Sequence, residues 1–294
     1  PSASGLEHKI GLPALARIFK DAEIWLCPGQ WSFPINLPLD FLGIPSKRTR
    51  ILFEDGTPYK DVCTWSSLGP INLGLGRYQE VSCYHSPTRT LTVTDAIIGI
   101  NSKPPEIFDF DPTPLLFHSR ERGDEPLVDS VEKRKKGWAR LVLFSSFLKP
   151  GKLKIPPLKQ IFKYSFKTDL RNKRSHFGIY PFMWDEDWES SLVEIMGEDI
   201  PRIQIAPVLK KLIFPRSKEI LIGWLEEIKT LKDIKYLIPA HFSAPIKFKV
   251  ADSQKLINEI NSEKWDKLPE DNKFLMNLYK KLFELGIIPE KVNV

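Results

Sequence analysis

The sequence predicts a mixed α/β fold with helices on two faces of a sheet, and three observations support this prediction. Apolar residues at helical spacing between Ile10 and Phe19 precede AEIWLCP, a short apolar run typical of a buried strand. Three β-rich segments follow, RTRILFED, YQEVSCYH and RTLTVTDAIIGI, and SPT joins the last two closely. Later, the periodic segment SKEILIGWLEEIKT leads into the apolar strand IKYLIPAHF.

These patterns divide the chain into three parts. Residues 1–100 and 203–294 carry the alternating helices and strands, so we predict that they form one domain, closed by helices near 252–262 and 271–285. Residues 101–202 combine a Pro-containing loop, a basic stretch and a segment rich in aromatic and acidic residues. We expect an irregular or helical insert there.

Composition limits the kinds of partner. The chain has 294 residues, 42% of them hydrophobic, which is enough for a sizeable core, and a net charge of +6. Acidic residues accompany the basic ones almost everywhere except in the basic stretch 133–174. This stretch is either a solvated insert or a surface for nucleic acid, an anionic membrane surface or an acidic protein. Without the aromatic motifs of RNA-binding domains, nucleic acid is a minor hypothesis.

The cysteines and the ends of the chain suggest its surroundings. Cys27, Cys63 and Cys83 lack the spacing of a zinc site or of a disulfide framework, which fits a reducing compartment. No apolar run reaches the ~18 residues of a membrane span. The sequence opens at Pro1 without a methionine, so we expect a processed or truncated product.

Side chains able to bind a metal occur at the ends of predicted strands and before the first helix. Imidazole nitrogens and carboxylate oxygens suit zinc, iron or manganese. Each residue also has an ordinary structural role open to it: a carboxylate at a helix start is favoured by the helix dipole, and a histidine or aspartate at a strand end often bonds to a nearby turn. The candidate ligands are Glu7, His8, His85, Asp95 and His241.

The order of these residues resembles the metallo-β-lactamase fold superfamily. In that superfamily an HxHxDH motif starts a helix, a later histidine lies in an H-[ST]-P-G context, an aspartate follows a strand, and a late strand ends in a last histidine. Here LEH stands where the end of the first motif would be, with Glu7 in place of its aspartate. The other matching stretches are HSPT at His85, TLTVTD at Asp95 and IPAHF at His241.

Longer strings are similar to an uncharacterised branch of this superfamily from cyanobacteria, plastids and other bacteria. They are LEHKIGLPALARIFKDAEIWLCPGQWSFPINLPLDFLGIP, HSPTRTLTVTDAI and IPAHFSAPI. The resemblance implies an αββα sandwich, here lacking its first strands, and a plastid location reached with a transit peptide that is then cleaved. Ala3 and Gly5 stand where the first two histidines of the motif would be. The resemblance therefore implies at most one divalent metal, held by Glu7, His8, Asp95 and His241, while His85 completes the shell or moves a proton.

Two functions remain open from the sequence. The first is a single-metal hydrolase of an ester, amide or phosphoester. The second is a catalytically silent subunit of a larger complex that binds no metal and meets its partner through the Pro- and Trp-rich loop 31–45 and the basic stretch 133–174. A nuclease-like protein whose basic stretch binds nucleic acid is a weaker third hypothesis.

Overall fold

The chain folds into two compact units. The computed structural model describes residues 3–5, 7–29, 37–74, 76–262 and 268–289, and only the backbone of Glu7, Lys9 and Arg174. Unit 1 takes its described residues from 1–98, 204–265 and 278–294, and unit 2 from 99–203 and 266–277. With 41% helix and 18% strand, the fold is mixed α/β as predicted.

Unit 1 opens with two short helices and a small parallel sheet. The predicted helix over residues 8–20 is two helices, α1 (Glu7–Ile10) and α2 (Leu12–Ile18), with a turn at Gly11 between them. Strand β1 (Ile24–Leu26) pairs in parallel with β2 (Thr49–Ile51). The inner face of α2 buries Ala16 against Ile24, Leu26 and Ile44. This small core attaches the start of the chain.

The main sheet of unit 1 has the strand order β11–β10–β5–β4–β3. Strands β3 (Cys63–Asn72), β4 (Arg77–His85) and β5 (Thr90–Thr92) are antiparallel neighbours. Strand β10 (Tyr236–Ile238) runs parallel to β5, and β11 (Ile246–Lys247) pairs antiparallel with β10. The strands β4, β5 and β10 were predicted, whereas β3 was not, because the serines, glycine and proline of CTWSSLGPIN dilute its apolar signal.

Helices of unit 1 pack beside this sheet. Helix α8 (Lys218–Thr230) turns one apolar stripe inward, and the indole of Trp224 donates a 3.3 Å hydrogen bond to Ser82 Oγ in β4. Helix α9 (Val250–Ile260) packs against α8. Helix α7 (Pro207–Leu212) precedes them. The stripe of α8 consists of Leu221, Trp224, Leu225 and Ile228.

The segment RTLTVTDAIIGI, predicted as one strand, is two. It forms β5 and then β6 (Ile97–Ile100), with Asp95 in the bend between them. Strand β6 pairs with β9 (Arg202–Ile205). These two strands contain the points where the chain leaves and re-enters unit 1.

Unit 2 is mostly helical. It contains α3 (Ile107–Phe110), α4 (Thr113–Ser119), α5 (Val131–Phe147), α6 (Leu158–Ile161) and a small sheet of β7 (Leu153–Lys154) and β8 (Met183–Trp184). Ser130 is the N-cap residue of the long helix α5, and its Oγ accepts a hydrogen bond from the backbone N–H of Lys133. Helix α10 (Pro269–Glu284) follows near the end of the chain. Among all described residues, no helix is long and apolar enough to cross a membrane.

Two buried arginines lie in unit 2. The guanidinium of Arg120 lies over the rings of Phe117 and Tyr180, 4.7 and 5.1 Å from their centroids. Arg140 donates to both carboxylate oxygens of Glu121 at 2.9 and 3.1 Å. Aromatic faces and a paired carboxylate offset the cost of taking these charges out of water.

Helices α4 and α5 meet at Gly137. A Cβ atom at this position would lie 1.8 Å from the carbonyl oxygen of Leu115, a distance that only a backbone shift could relieve. The close approach of the two helices therefore requires glycine here.

We expect Gly137→Ala to destabilise the protein by about 1–3 kcal/mol, since the added methyl must push α4 from α5. Gly223→Ala is the matched control, because Gly223 also lies within a helix but a Cβ there meets nothing within 4 Å. That substitution should stabilise by up to about 1 kcal/mol. Chemical denaturation of both variants measures this, and equal effects would contradict the close packing.

Candidate metal centre

Three of the predicted ligands lie together in unit 1. Nε2 of His8 lies 2.9 Å from Oδ2 of Asp95, and Nε2 of His241 lies 2.9 Å from Oδ1 of the same carboxylate. The imidazole rings of His8 and His241 are 5.9 Å apart. One ligand atom from each residue lies within 4.8 Å of the other two. We call His8, Asp95 and His241 the triad.

Parallel pairing of β5 with β10 brings two members of the triad together from distant parts of the chain. Past the ends of both strands, Val93 N–H donates to the carbonyl of Ile238 at 3.0 Å, and Ala240 N–H to that of Thr94 at 3.2 Å. Because the carboxyl ends of parallel strands meet at the same edge, the next residues, Asp95 and His241, are neighbours.

The first residues of the chain bring His8 to the same edge. Ala3 forms an isolated antiparallel bridge with Glu80 in β4, and the backbone N–H of Ser4 donates to the carbonyl of Gln79 at 2.8 Å. In return, the backbone N–H of Gln79 donates to Ser4 Oγ at 3.0 Å. The start of the chain is thus tied to the sheet only a few residues before His8 in α1.

The buried carboxylate of Glu80 holds the bend that carries Asp95. Its Oε1 accepts the backbone N–H of Thr94 at 2.7 Å, and its Oε2 accepts that of Ala96 at 2.8 Å. Oε2 also accepts the hydroxyl of Tyr78 at 2.8 Å. Bonds to the residues on both sides of Asp95 fix the backbone there, so Glu80 positions a ligand without being one.

The two carboxyl groups have opposite pKa shifts. Burial raises the pKa of Glu80, the nearby Asp95 charge raises it further, and the hydrogen bonds from Thr94, Tyr78 and Ala96 only partly compensate, which leaves it at about 7. For Asp95, burial also acts to raise the pKa, but the contacts with His241 and His8 outweigh it and lower the value to about 2. Asp95 is therefore the ionised member of the pair near neutral pH.

The triad has the chemistry of a metal site. Its donor set, two imidazole nitrogens and a carboxylate, is that of zinc and iron sites that keep an open position. Oδ1 of Asp95 is buried and receives no well-directed hydrogen bond from any described residue, although Nε2 of His241 is close. Ligand atoms around a tetrahedral ion lie about 3.3 Å apart, so small side-chain rotations suffice to accommodate one.

The triad is open to solvent on the side of His241. The side chains of His8 and Asp95 are 12% and 13% exposed, whereas that of His241 is 48% exposed. An approaching molecule therefore meets the edge of the triad formed by His241.

His85 is not brought to the triad. It ends β4 and pairs with Thr90 at the start of β5, while Asp95 follows the other end of β5, at the opposite edge of the sheet. Its Nδ1 is hydrogen-bonded to Thr88 Oγ1 at 2.8 Å. Neither completion of a metal shell nor proton transfer at the triad is open to His85 from this position.

Two other predictions fall on parts that the structure does not describe. The side chain of Glu7 lies outside the described residues, as do residues 31–36 of the predicted partner loop 31–45. Sequence reasoning also missed Glu80. An acidic residue in the middle of an apolar strand, YQEVSCYH, was the available signal, because a buried charge needs specific partners.

Cys27 and Cys83 offer no nucleophile to this site. Burial, together with the hydrogen bond and the charge of Cys63, raises the pKa of the Cys83 thiol to about 12. Burial also raises the pKa of Cys27, well above the usual range of a thiol. Both thiols are therefore protonated at neutral pH.

The pKa of Glu80 predicts how stability depends on pH in protein freed of metal by a chelator. The folded state keeps the Glu80 proton up to a pH of about 7, whereas the unfolded chain releases it near 4.5, so the folded state binds more protons in between. The free energy of unfolding should fall as pH rises through this window, by on the order of 3 kcal/mol at most.

In Glu80→Gln this contribution to the slope should vanish, which urea unfolding at several pH values measures. Glu54→Gln is the matched control, since Glu54 is exposed. A slope in Glu80→Gln equal to that of the unchanged protein would show that Glu80 does not titrate in this range.

Comparison with known sequences identifies the family of this chain. A sequence model described as a domain of unknown function, DUF4336, matches residues 1–258. The match contains the whole triad and Glu80. Comparisons with curated proteins and with solved structures give no match. The chain belongs to the DUF4336 family.

Proposed function

We propose that unit 1 is a single-metal hydrolase with His8, Asp95 and His241 as ligands. The convergence of their donor atoms within 4.8 Å, from three distant stretches of sequence, carries the proposal. Among the described side chains these three converge and leave one side open, as catalytic metal sites do. Zinc, iron and manganese all suit two nitrogens and one oxygen.

Each residue has a defined part in this proposal. A divalent ion at the triad would polarise an ester, amide or phosphoester oxygen and make water more acidic. Asp95 supplies the negative charge, which its low pKa maintains. The mostly buried His8 fixes the inner side, while the half-exposed His241 borders the space open to substrate. Glu80 holds the backbone on both sides of Asp95.

We keep the metallo-β-lactamase-like αββα sandwich, without its first strands, as part of the proposal. Its support is the order of ligands along the chain and their place at the ends of β5 and β10, in a mixed sheet with helices packed beside it. The plastid location is likewise a proposal that rests on the resemblance of the sequence alone.

The second candidate, a catalytically silent subunit, has one supporting observation. Helix α2 and the turn at residues 39–42 share a small core, yet each leaves apolar side chains exposed, and the side chain of Phe41 is almost fully exposed. Such a surface suits a protein partner. In that case the triad is a hydrogen-bonded network without a metal. The exposed apolar side chains are Leu15, Ile18, Phe19 and Phe41.

Metal content separates the two candidates. We expect about one zinc, iron or manganese per purified chain, measured by elemental analysis. His8→Gln and His241→Gln should each weaken binding of added zinc by at least about 100-fold, since even changes behind the ligands cost 10–100-fold. Glu80→Gln should fall within that smaller range.

His85→Gln is the matched control, because His85 lies at the opposite edge of the same sheet. It should keep the full metal content. Absence of metal from the unchanged protein, with no zinc binding on titration, would favour the silent subunit.

Turnover tests the hydrolase itself. With a panel of activated esters and phosphodiesters, Asp95→Asn and His241→Gln should lower kcat/KM by at least about 100-fold, because the ion that lowers the barrier is lost. Asp169→Asn and His85→Gln are the matched controls and should retain activity. Equal turnover in Asp95→Asn and the unchanged protein would rule out the triad as the catalytic centre.

A further inference from the structure

The basic stretch of unit 2 has two halves that differ in how their charges are used. In the first half, cations of α5 pair with nearby acids: Lys133 with Glu125 at 2.5 Å, and Arg134 with Asp129 at 2.7 Å. Arg140 pairs with Glu121, as described above. These charges are neutralised within the unit, so they leave little attraction for a partner.

The second half carries an excess of positive charge that is only partly paired. Residues 151–174 contain eight basic residues and one acidic residue, a net charge of +7 in a chain whose total is +6. Lys152 and Lys154 pair with acids, and Lys167 lies 3.4 Å from Asp124. No described carboxylate lies within ion-pair distance of Lys159 or Lys163, and both are exposed.

Exposed apolar side chains accompany these lysines. Ile155, Leu158, Phe162 and Phe166 are 62%, 72%, 44% and 76% exposed. Contact of large apolar side chains with water is unfavourable. A contiguous group of exposed ones therefore marks an interaction surface.

The two kinds of side chain alternate along one short segment. Leu158 and Lys159 lie in α6, and the turns that follow it carry Phe162, Lys163 and Phe166, with Lys167 next. In these turns Phe162 N–H donates to the carbonyl of Leu158, and Lys167 N–H to that of Tyr164. The exposed members of the segment are Leu158, Lys159, Phe162, Lys163, Phe166 and Lys167. We call these six residues the basic-apolar strip.

Ile161 and Tyr164 anchor this segment to unit 2, and the ammonium groups of Lys163 and Lys167 lie over the ring of Tyr164, 5.2 and 5.0 Å from its centroid. Ile161 is buried and Tyr164 is half-buried, and the backbone of Gly178 approaches the carbonyl of Tyr164 so closely that a Cβ on Gly178 would lie 2.7 Å from it. Packing of Ile161 and Tyr164 thus fixes this segment on unit 2 and leaves the residues of the strip exposed.

A cavity borders the strip. Its volume is about 250 Å³, and its wall combines Lys163 of the strip and Arg122 with Glu121 and with the aromatic residues Tyr164, Tyr180 and Phe182. Glu121 is paired with Arg140 and Arg122 with Asp124, so Lys163 is the cation of this wall that has no carboxylate among the described residues within ion-pair distance.

We propose that the basic-apolar strip binds the surface of an anionic lipid membrane. Lysines next to exposed aliphatic and phenyl groups are the combination by which peripheral proteins hold such a surface: the cations attract the headgroups while the apolar side chains enter the boundary with the acyl chains. A nucleic acid would use the lysines but would not require Leu158 and Phe162 together with them. An acidic protein could use both kinds of side chain, so vesicle binding is the measurement that separates it from a membrane.

The test is flotation of the full chain with vesicles of phosphatidylcholine alone or mixed in equal parts with phosphatidylglycerol. We expect binding to the mixed vesicles only, and less of it at high salt. The triple change Lys159→Gln, Lys163→Gln, Lys167→Gln should weaken binding about 100-fold, since each lysine near the surface contributes about fivefold. The triple change Leu158→Ser, Phe162→Ser, Phe166→Ser should also abolish most binding.

Two matched controls change exposed residues elsewhere. They are Lys20→Gln, Lys60→Gln, Lys103→Gln and, for the apolar side chains, Ile107→Ser, Val193→Ser, Ile200→Ser. Both should bind like the unchanged protein, and circular dichroism checks that every variant is folded. Absence of binding to the mixed vesicles, or equal loss in the controls, would overturn the proposal. Loss in the lysine variant with full binding in the apolar variant would also overturn it and would indicate an acidic macromolecule as partner.

Discussion

The bond network around the Glu80 carboxylate is the constraint on which the candidate centre depends. A carboxyl group in a buried strand is costly unless its oxygens are paired, and here backbone N–H groups on both sides of Asp95 pair them. The hydrogen bonds that offset the free-energy cost of burying Glu80 exist only when the backbone at residues 94–96 adopts this bend. Since Asp95 lies between those two N–H groups, its backbone is held by Glu80, and contacts with His8 and His241 then fix its carboxylate.

Parallel pairing of two distant strands then completes the site. Strands β5 and β10 are far apart in sequence, and their hydrogen bonds continue one or two residues beyond each strand. That extension places Asp95 and His241 at one edge of the sheet. The bridge between Ala3 and Glu80 attaches the start of the chain to the same sheet. Glu80 therefore bonds to the bend at Asp95 and also lies beside the segment that leads to His8.

The basic residues of unit 2 fall into two groups that differ in how far they are paired. Around α5 and the buried Arg120 and Arg140, cations are matched by carboxylates or aromatic faces, which stabilises a helical unit with little net attraction outward. In residues 151–174 some lysines also pair with carboxylates or with the ring of Tyr164, but the segment keeps an excess of positive charge next to exposed apolar side chains. The contrast between the two halves is the physical reason to assign binding to the second half alone.

The sequence by itself determined the α/β class, the strands β4, β5 and β10, and three side chains of the candidate centre, because apolar periodicity and strand ends are local properties. It did not reveal β3, whose serines and proline hide a strand, nor Glu80, whose role needs the backbone of a distant bend. The tight connection SPT already implied that β4 and β5 are antiparallel, which puts His85 at the end of β5 away from Asp95. Only the tertiary structure decided that β10 pairs in parallel with β5 and so brings His241 to Asp95, because no local pattern contains the pairing of strands far apart in sequence. Likewise, sequence showed one basic stretch, and packing divided it into a neutralised half and an exposed one.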